Sequence, residues 1–252
     1  MVSKLLELFL KVAIFVATFI GIIILSTYIY LLPELPRVDN VDQSKLQIPL
    51  KIYTADEKLI GEFGEKKRRP LTFEEIPENL KNAFLAAEDD SFFEHRGVSY
   101  PSLIRAVSQY VRVGLDATGG GTITMQVVMN YLLTREKKVR RKIKEIFLAF
   151  HLESSFSKEK IFEIYVNTIF LGNRSYGIEA ASNTYFGKSV GELTVAESAL
   201  IASLAQLPSR VNPIRNPERT KARRNWVLYR MKLLDFISCL LYTSPSPRDA
   251  LE

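Results

Sequence analysis

Cysteine and histidine are nearly absent from these 252 residues. The one cysteine, Cys239, excludes a disulfide framework and a cysteine-based zinc site. The two histidines, His95 and His151, exclude a histidine-rich metal centre. Beyond the first sixty residues there is almost no alternation of apolar and polar side chains, so a sheet-rich domain is excluded. No internal repeat is found. The composition is neither low in hydrophobic residues (47%) nor extreme in charge (25%), which excludes a disordered or collagen-like chain. What the chain has in excess is cations: 34 Lys and Arg against 28 acids, net +6. That balance calls for an anionic partner, whether nucleic acid, acidic lipid or a phosphorylated substrate.

Val12 to Leu32 forms a run of 21 residues without a charge, long enough to span a bilayer as a helix. Tyr28 and Tyr30 fall where an interfacial aromatic belt would lie, and Pro33 stops the helix just outside. No small-x-small cleavage site follows, so the run reads as an uncleaved anchor rather than a signal peptide. Lys4 and Lys11 precede it, which keeps residues 1–11 cytoplasmic and places the rest outside. Nucleic acid then drops out as a partner.

The segment from residue 33 to 50 is punctuated by proline and reads as a linker. Lys51–Ile60 is strand-like, with a turn near Asp56 and Glu57 that can close a hairpin. Lys66–Arg69 is a basic run, read equally well as a solvated loop or a contact with anionic lipid. Then the period becomes helical: Leu80, Ala83, Phe84 and Ala87 share a face, and further helices are expected at 100–113, 123–133, 137–153, 158–170, 176–186, 194–206 and 218–236. The fold class is therefore mainly α. Residues 237–252, with Ser-Pro-Ser-Pro, cannot continue a helix and read as a disordered or foreign tail.

Four segments could carry chemistry. In Glu88-Asp-Asp-Ser-Phe-Phe-Glu-His-Arg-Gly97, Glu88 closes an apolar helix near Phe92 and Phe93. Desolvation there would raise its pKa and suit it to act as a base, although such acids more often simply end a helix in water. Thr118-Gly-Gly-Gly-Thr-Ile-Thr-Met-Gln126 feeds a helix whose cap is Thr122 or Thr124. It could take an anion, or be no more than a capped loop. In Arg135–Glu145, helical steps gather Lys138, Arg141, Lys142 and Glu145. Such cations suit a departing pyrophosphate, while a solvated basic face is the commoner use of a charge run. Lys160–Gly172 carries Glu163, Tyr165 and Asn167 on an amphipathic helix, polar groups better placed to join helices than to react. Two apparent motifs fail. Gly187-Lys-Ser189 lacks the first glycine of a P-loop, since residue 182 is Ser182. Ser155-x-x-Lys158 lacks the partner motifs of a penicillin-sensitive nucleophile, and Ser155 or Ser157 reads as a helix cap.

Taken in order behind an anchor, these segments resemble the peptidoglycan glycosyltransferases of family 51, the module of class A penicillin-binding proteins and monofunctional transglycosylases. Glu88, Asp89, Phe92, His95 and Gly97 match E-D-x-x-F-x-x-H-x-G; Gly119, Gly120, Thr122, Ile123, Thr124 and Gln126 match G-G-S-T-I-T-Q-Q. Arg141, Lys142 and Glu145 match R-K-x-x-E, and Ile161, Glu163, Tyr165 and Asn167 match I-L-E-x-Y-L-N. The likeness runs from about residue 50 to 235. Departures are Ser99 for Asp, Gly121 for Ser, Met125 for the first Gln, and Met129 where a cation is usual.

The resemblance implies a lysozyme-like α lobe with a small membrane-proximal jaw over residues 51–236. It implies polymerisation of lipid II into β-1,4-linked glycan, with inversion at MurNAc C1 and release of undecaprenyl pyrophosphate. Glu88 would be the general base, and Glu145 would position the cations. Asp89, Phe92, His95, Gly119, Gly120, Thr122, Thr124, Gln126, Lys137, Arg141, Lys142 and Asn167 would bind substrate. No cofactor is required, with room for a divalent Mg or Mn ion at the pyrophosphate. The partners would be lipid II, the growing glycan chain, the bacterial inner membrane and other cell-wall synthesis proteins, with the catalytic part on the outer face. Two other readings stay open: a lysozyme-like hydrolase of the same polymer, and a lipid II-binding scaffold without turnover, for which Met129 is the main support.

Overall fold

The first helix, α1 (Val2–Leu31), begins ten residues before the uncharged run. Lys4, Glu7 and Lys11 are good helix formers, and the Glu7–Lys11 pair at 2.7 Å spans one turn. Leu32–Glu34 then tighten into a short 3-10 turn around Pro33. Leu6–Glu34 is long and apolar enough to cross a membrane. Most of its side chains face outward, Phe15 being 72% exposed, while Leu31 at the end of the helix is buried. The computed structural model of the chain describes residues 2–38, 50–56, 58–63, 70–113, 121–133, 138–206, 208 and 210–238. The basic run at 66–69, Gly119, Gly120, Lys137 and the tail from 239 lie outside the described residues, as does most of the linker.

The expected hairpin is present: β1 (Leu50–Tyr53) pairs antiparallel with β2 (Leu59–Phe63). Thr54 closes it by donating its N–H to the Lys58 carbonyl at 2.8 Å. The remaining regular elements are helical apart from an isolated bridge between Phe170 and Tyr176: α2 (Glu78–Glu88), α3 (Tyr100–Val113), α4 (Ile123–Tyr131), α5 (Lys138–Ser155), α6 (Lys158–Thr168), α7 (Ile178–Phe186), α8 (Val195–Leu204) and α9 (Pro217–Leu233). The mainly α expectation holds.

Helix α8 is apolar all round and therefore lies at the centre, with every residue from Ala196 to Leu204 buried. It packs on α2 and α9, while α4 packs on α5 and α6. Phe84 and Tyr165 meet edge to face at 5.9 Å across this core. The caps follow the sequence. Thr194 and Glu197 make the expected capping box, Ser157 caps α6, and Thr122 rather than Thr124 caps α4. The end of α9 comes three residues before the expected Phe236. Asp235 turns left-handed at φ +56°, and the Phe236 N–H reaches back to the Met231 carbonyl at 2.9 Å, closing the helix.

Candidate active site

Glu88 is the last residue of α2, where the helix turns its carboxylate inward between α4 and α9. Its Oε2 accepts a hydrogen bond from Gln126 Nε2 at 2.9 Å. Its Oε1 is buried and has no hydrogen-bond partner among the described residues. Burial pushes the Glu88 pKa up and the Asp89 charge adds to the rise; the Gln126 amide and the Arg223 guanidinium pull the other way, and the rise wins. An unpartnered, dry carboxylate oxygen is a ready acceptor for a proton.

The orientation of Gln126 is set from behind. Tyr165 is fully buried, and its hydroxyl lies 3.5 Å from Gln126 Oε1. Burial, together with the charges of Glu88 and Asp89, pushes the Tyr165 phenol far up, so it stays neutral and keeps a proton to donate. With Oε1 facing the phenol, the Gln126 amide nitrogen must face Glu88.

Asp89 turns away from Glu88. Its carboxylate accepts from His95 Nε2 at 2.9 Å and from the Ile123 N–H at 3.1 Å, which joins the end of α2 to the start of α4. His95 Nδ1 accepts the Gly97 N–H at 3.1 Å, so Nδ1 carries no proton and Nε2 donates to Asp89. The Gly97 carbonyl in turn accepts from the capping Thr122 hydroxyl at 2.6 Å. Gly97 sits at φ +87°, and a Cβ there would lie 2.9 Å from the Ala149 carbonyl oxygen of α5. Gly97→Ala is therefore expected to cost about 2 kcal/mol, from the left-handed backbone and the clash together. The midpoint of thermal unfolding in detergent should fall by about 4–8 °C.

The second motif meets the third beside Gly121. A Cβ on Gly121 would lie 3.7 Å from Lys142 Nζ, so the cation overhangs the start of α4. Glu145, 4% exposed, holds Lys142 Nζ at 3.0 Å and Arg141 Nε at 3.1 Å, one on each oxygen. Of the other expected residues that the structure describes, Phe92, Thr124 and Asn167 are enclosed by protein partners. Phe92 is fully buried under Lys158, whose ammonium sits 4.4 Å above the ring. Thr124 donates to Glu153 at 2.5 Å. Asn167 makes a two-way amide clasp with the backbone of Leu71, at 2.8 and 2.9 Å. The hydrogen bonds and packing of these groups are thus taken up within the protein, whereas Glu88 keeps one unpartnered oxygen and Arg141 and Lys142 stay about a third exposed. Met129 is 39% exposed on α4.

One contributor was not expected from the sequence. Arg223 on α9 acts on Glu88 through its charge, lies 3.9 Å from the Trp226 ring, and has a buried Nε with no partner among the described residues. In Arg219–Arg230 it looks like one more solvated cation. Only the Arg-x-x-Trp spacing, one helical turn, hints that its side chain is held down.

With this geometry in hand, comparison with known proteins is decisive. A family model described as transglycosylase matches residues 56–232. The chain belongs to the transglycosylase family. Penicillin-binding protein 1A of Pseudomonas aeruginosa is 52% identical over 212 residues, covering 84% of this chain and 26% of the relative. Penicillin-binding protein 1A of Escherichia coli K12 is 45% identical over 208 residues, covering 82% and 24%. A 2.6 Å crystal structure of penicillin-binding protein 1A from Haemophilus influenzae is 34% identical, with a TM-score of 0.45, and covers 82% of this chain and 20% of that one. The chain thus spans about a quarter of the length of the curated relatives it matches.

Proposed function

We propose that this transglycosylase chain is a peptidoglycan glycosyltransferase that polymerises lipid II at the outer face of the bacterial inner membrane, anchored by α1. The observation that carries the reading is the two-ended role of α4. Gln126 in its first turn aims the Glu88 carboxylate, while its start at Gly121 lies under Lys142. A base and a cation pair on either side of one helix turn match a reaction that takes a proton at one end and releases a diphosphate at the other.

Glu88 Oε1 removes the proton of the acceptor GlcNAc 4-hydroxyl as that oxygen attacks the donor MurNAc C1. Attack opposite the leaving group inverts the anomeric centre and yields the β-1,4 link. Arg141 and Lys142 take up the charge developing on the undecaprenyl pyrophosphate, with Glu145 holding both in place. Both Glu145 oxygens already carry cations, so its donor set does not fit a divalent ion, and no step here passes through a metal. The exposed apolar side chains of helix α3, Tyr100 at 64% and Ile104 at 70%, support reading it as part of the membrane-proximal jaw.

Labelled lipid II incubated with the purified chain should be converted into polymer, and loss of added polymer would mark a hydrolase instead. Because Glu88 works only when ionised and burial raises its pKa, the acid limb of kcat/KM should lie above the ordinary carboxylate range. Gln126→Leu removes a group that holds that pKa down. Its acid limb should move to higher pH, and a profile identical to wild type would count against the Gln126–Glu88 contact.

A further inference from the structure

Helix α5 has a second working face. Arg141, Lys142 and Glu145 occupy one stripe. Phe147, Phe150, His151 and Ser154 follow three- and four-residue steps along another, roughly half a turn round. That second stripe forms one wall of a cavity of about 410 Å³, and the last turn of α1 with the segment after it forms the other. Tyr28, Leu32 and Leu35 supply the apolar side of that opposing wall, and the exposed Arg37 lines it too.

The walls are pinned to each other. Tyr28 and Phe147 meet edge to face at 5.2 Å. Glu34, just past the anchor, takes Arg140 at 2.5 Å and Lys144 at 2.9 Å, both from α5. The cavity is thus preformed, with a volume within the roughly 300–1,000 Å³ usual for ligand pockets.

With α1 read as the anchor, its last turn is where the chain would leave the hydrocarbon, which would bring a cavity lined by that turn to headgroup level. The lining is mostly apolar, with His151 and Ser154 the polar side chains of the α5 wall, and Arg37, exposed, has no carboxylate partner among the described residues. A mostly apolar slot beside a cation that no described carboxylate neutralises matches an acyl chain beside a phosphate.

We propose that this cavity binds one anionic phospholipid of the surrounding leaflet, its acyl chain between α1 and α5 and its phosphate at Arg37. The proposal rests on the anchor reading of α1 but not on the sugar chemistry. It makes a bilayer lipid part of the joint between the anchor and the helix that carries the cation pair.

The test uses the full chain in mild detergent, mixed with phosphatidylglycerol or phosphatidylethanolamine and examined by native mass spectrometry. Wild type should retain one phosphatidylglycerol, at least five-fold over phosphatidylethanolamine. Arg37→Gln, an exposed change that spares folding, should erase most of that preference. Ser154→Trp, which fills the slot from the α5 wall, should abolish retention of either lipid. Equal retention of the two lipids by wild type, or unchanged retention in both variants, would overturn the proposal. So would displacement of phosphatidylglycerol by equimolar undecaprenyl phosphate, which would make the slot a substrate-chain site. Flotation of each protein with vesicles checks the anchor separately, and failure of wild type to float would overturn the anchor reading and the pocket with it.

Discussion

Glu88→Gln is expected to lower the rate of lipid II polymerisation by 10³-fold or more while leaving lipid II binding intact. Positioned bases contribute about 10²–10⁴-fold, and here no second carboxylate can substitute. Asp89, the adjacent acid, is committed to His95 and to the Ile123 N–H. The amide is nearly isosteric and can still meet Gln126, so the pocket should keep its shape. The same substitution should also stabilise the fold at neutral pH. The folded-state pKa of Glu88 is raised, so wild type is most stable below the unfolded pKa and loses stability as pH rises through the folded value. A glutamine carries no such cost. Thermal melts should therefore show Glu88→Gln above wild type at pH 7, with the gap closing toward pH 4. A variant that loses activity but melts lower at every pH would make Glu88 a structural residue. One that polymerises at the wild-type rate would remove it from the chemistry.

The legibility of this site in the sequence divides along a physical line. Helix existence, the anchor and the caps depend on neighbours within a turn or two, and Thr194–Glu197 or the stretch before Pro33 can be read locally. The Arg141–Lys142–Glu145 cluster is local too, and the structure brings those side chains together as the helical steps require. What could not be read is which of two equivalent polar groups faces the work. Asp89 and Glu88 are adjacent acids, yet the helix end sends one to the start of α4 and leaves the other with a bare oxygen. Asn167 looks as reactive as Gln126, but its partner Leu71 lies 96 residues away in sequence. Arg223 falls in a run of cations that the sequence alone does not sort into solvated and buried, and only the packing of α9 on α2 brings its charge to Glu88. The motif order marks the candidate site; the pairings inside it come from tertiary contacts between helices far apart in sequence.

Removing the cation pair should cost nearly as much activity as removing the base, but for a separable reason. Loss of one preorganised group that stabilises transition-state charge slows reactions by about 10²–10³-fold. Lys142→Ala should fall in that range, because Arg141 remains on Glu145 and still faces the leaving group. In Arg141→Ala/Lys142→Ala, polymerisation should drop below detection, and the protein should also lose stability. The Glu145 side chain is 5% exposed, and stripping both partners leaves its carboxylate buried and uncompensated. The cost should be about 3 kcal/mol, the low end for a broken buried pair because both cations are themselves a third exposed. Adding Glu145→Gln to the double variant should restore the melting temperature, since the orphaned charge is gone, without restoring any polymer. That split decides what the cluster is for. If stability and activity return together in the triple variant, the two cations serve only to neutralise Glu145. If stability returns alone, they are spent on the diphosphate, and Glu145 exists to hold them over the start of α4.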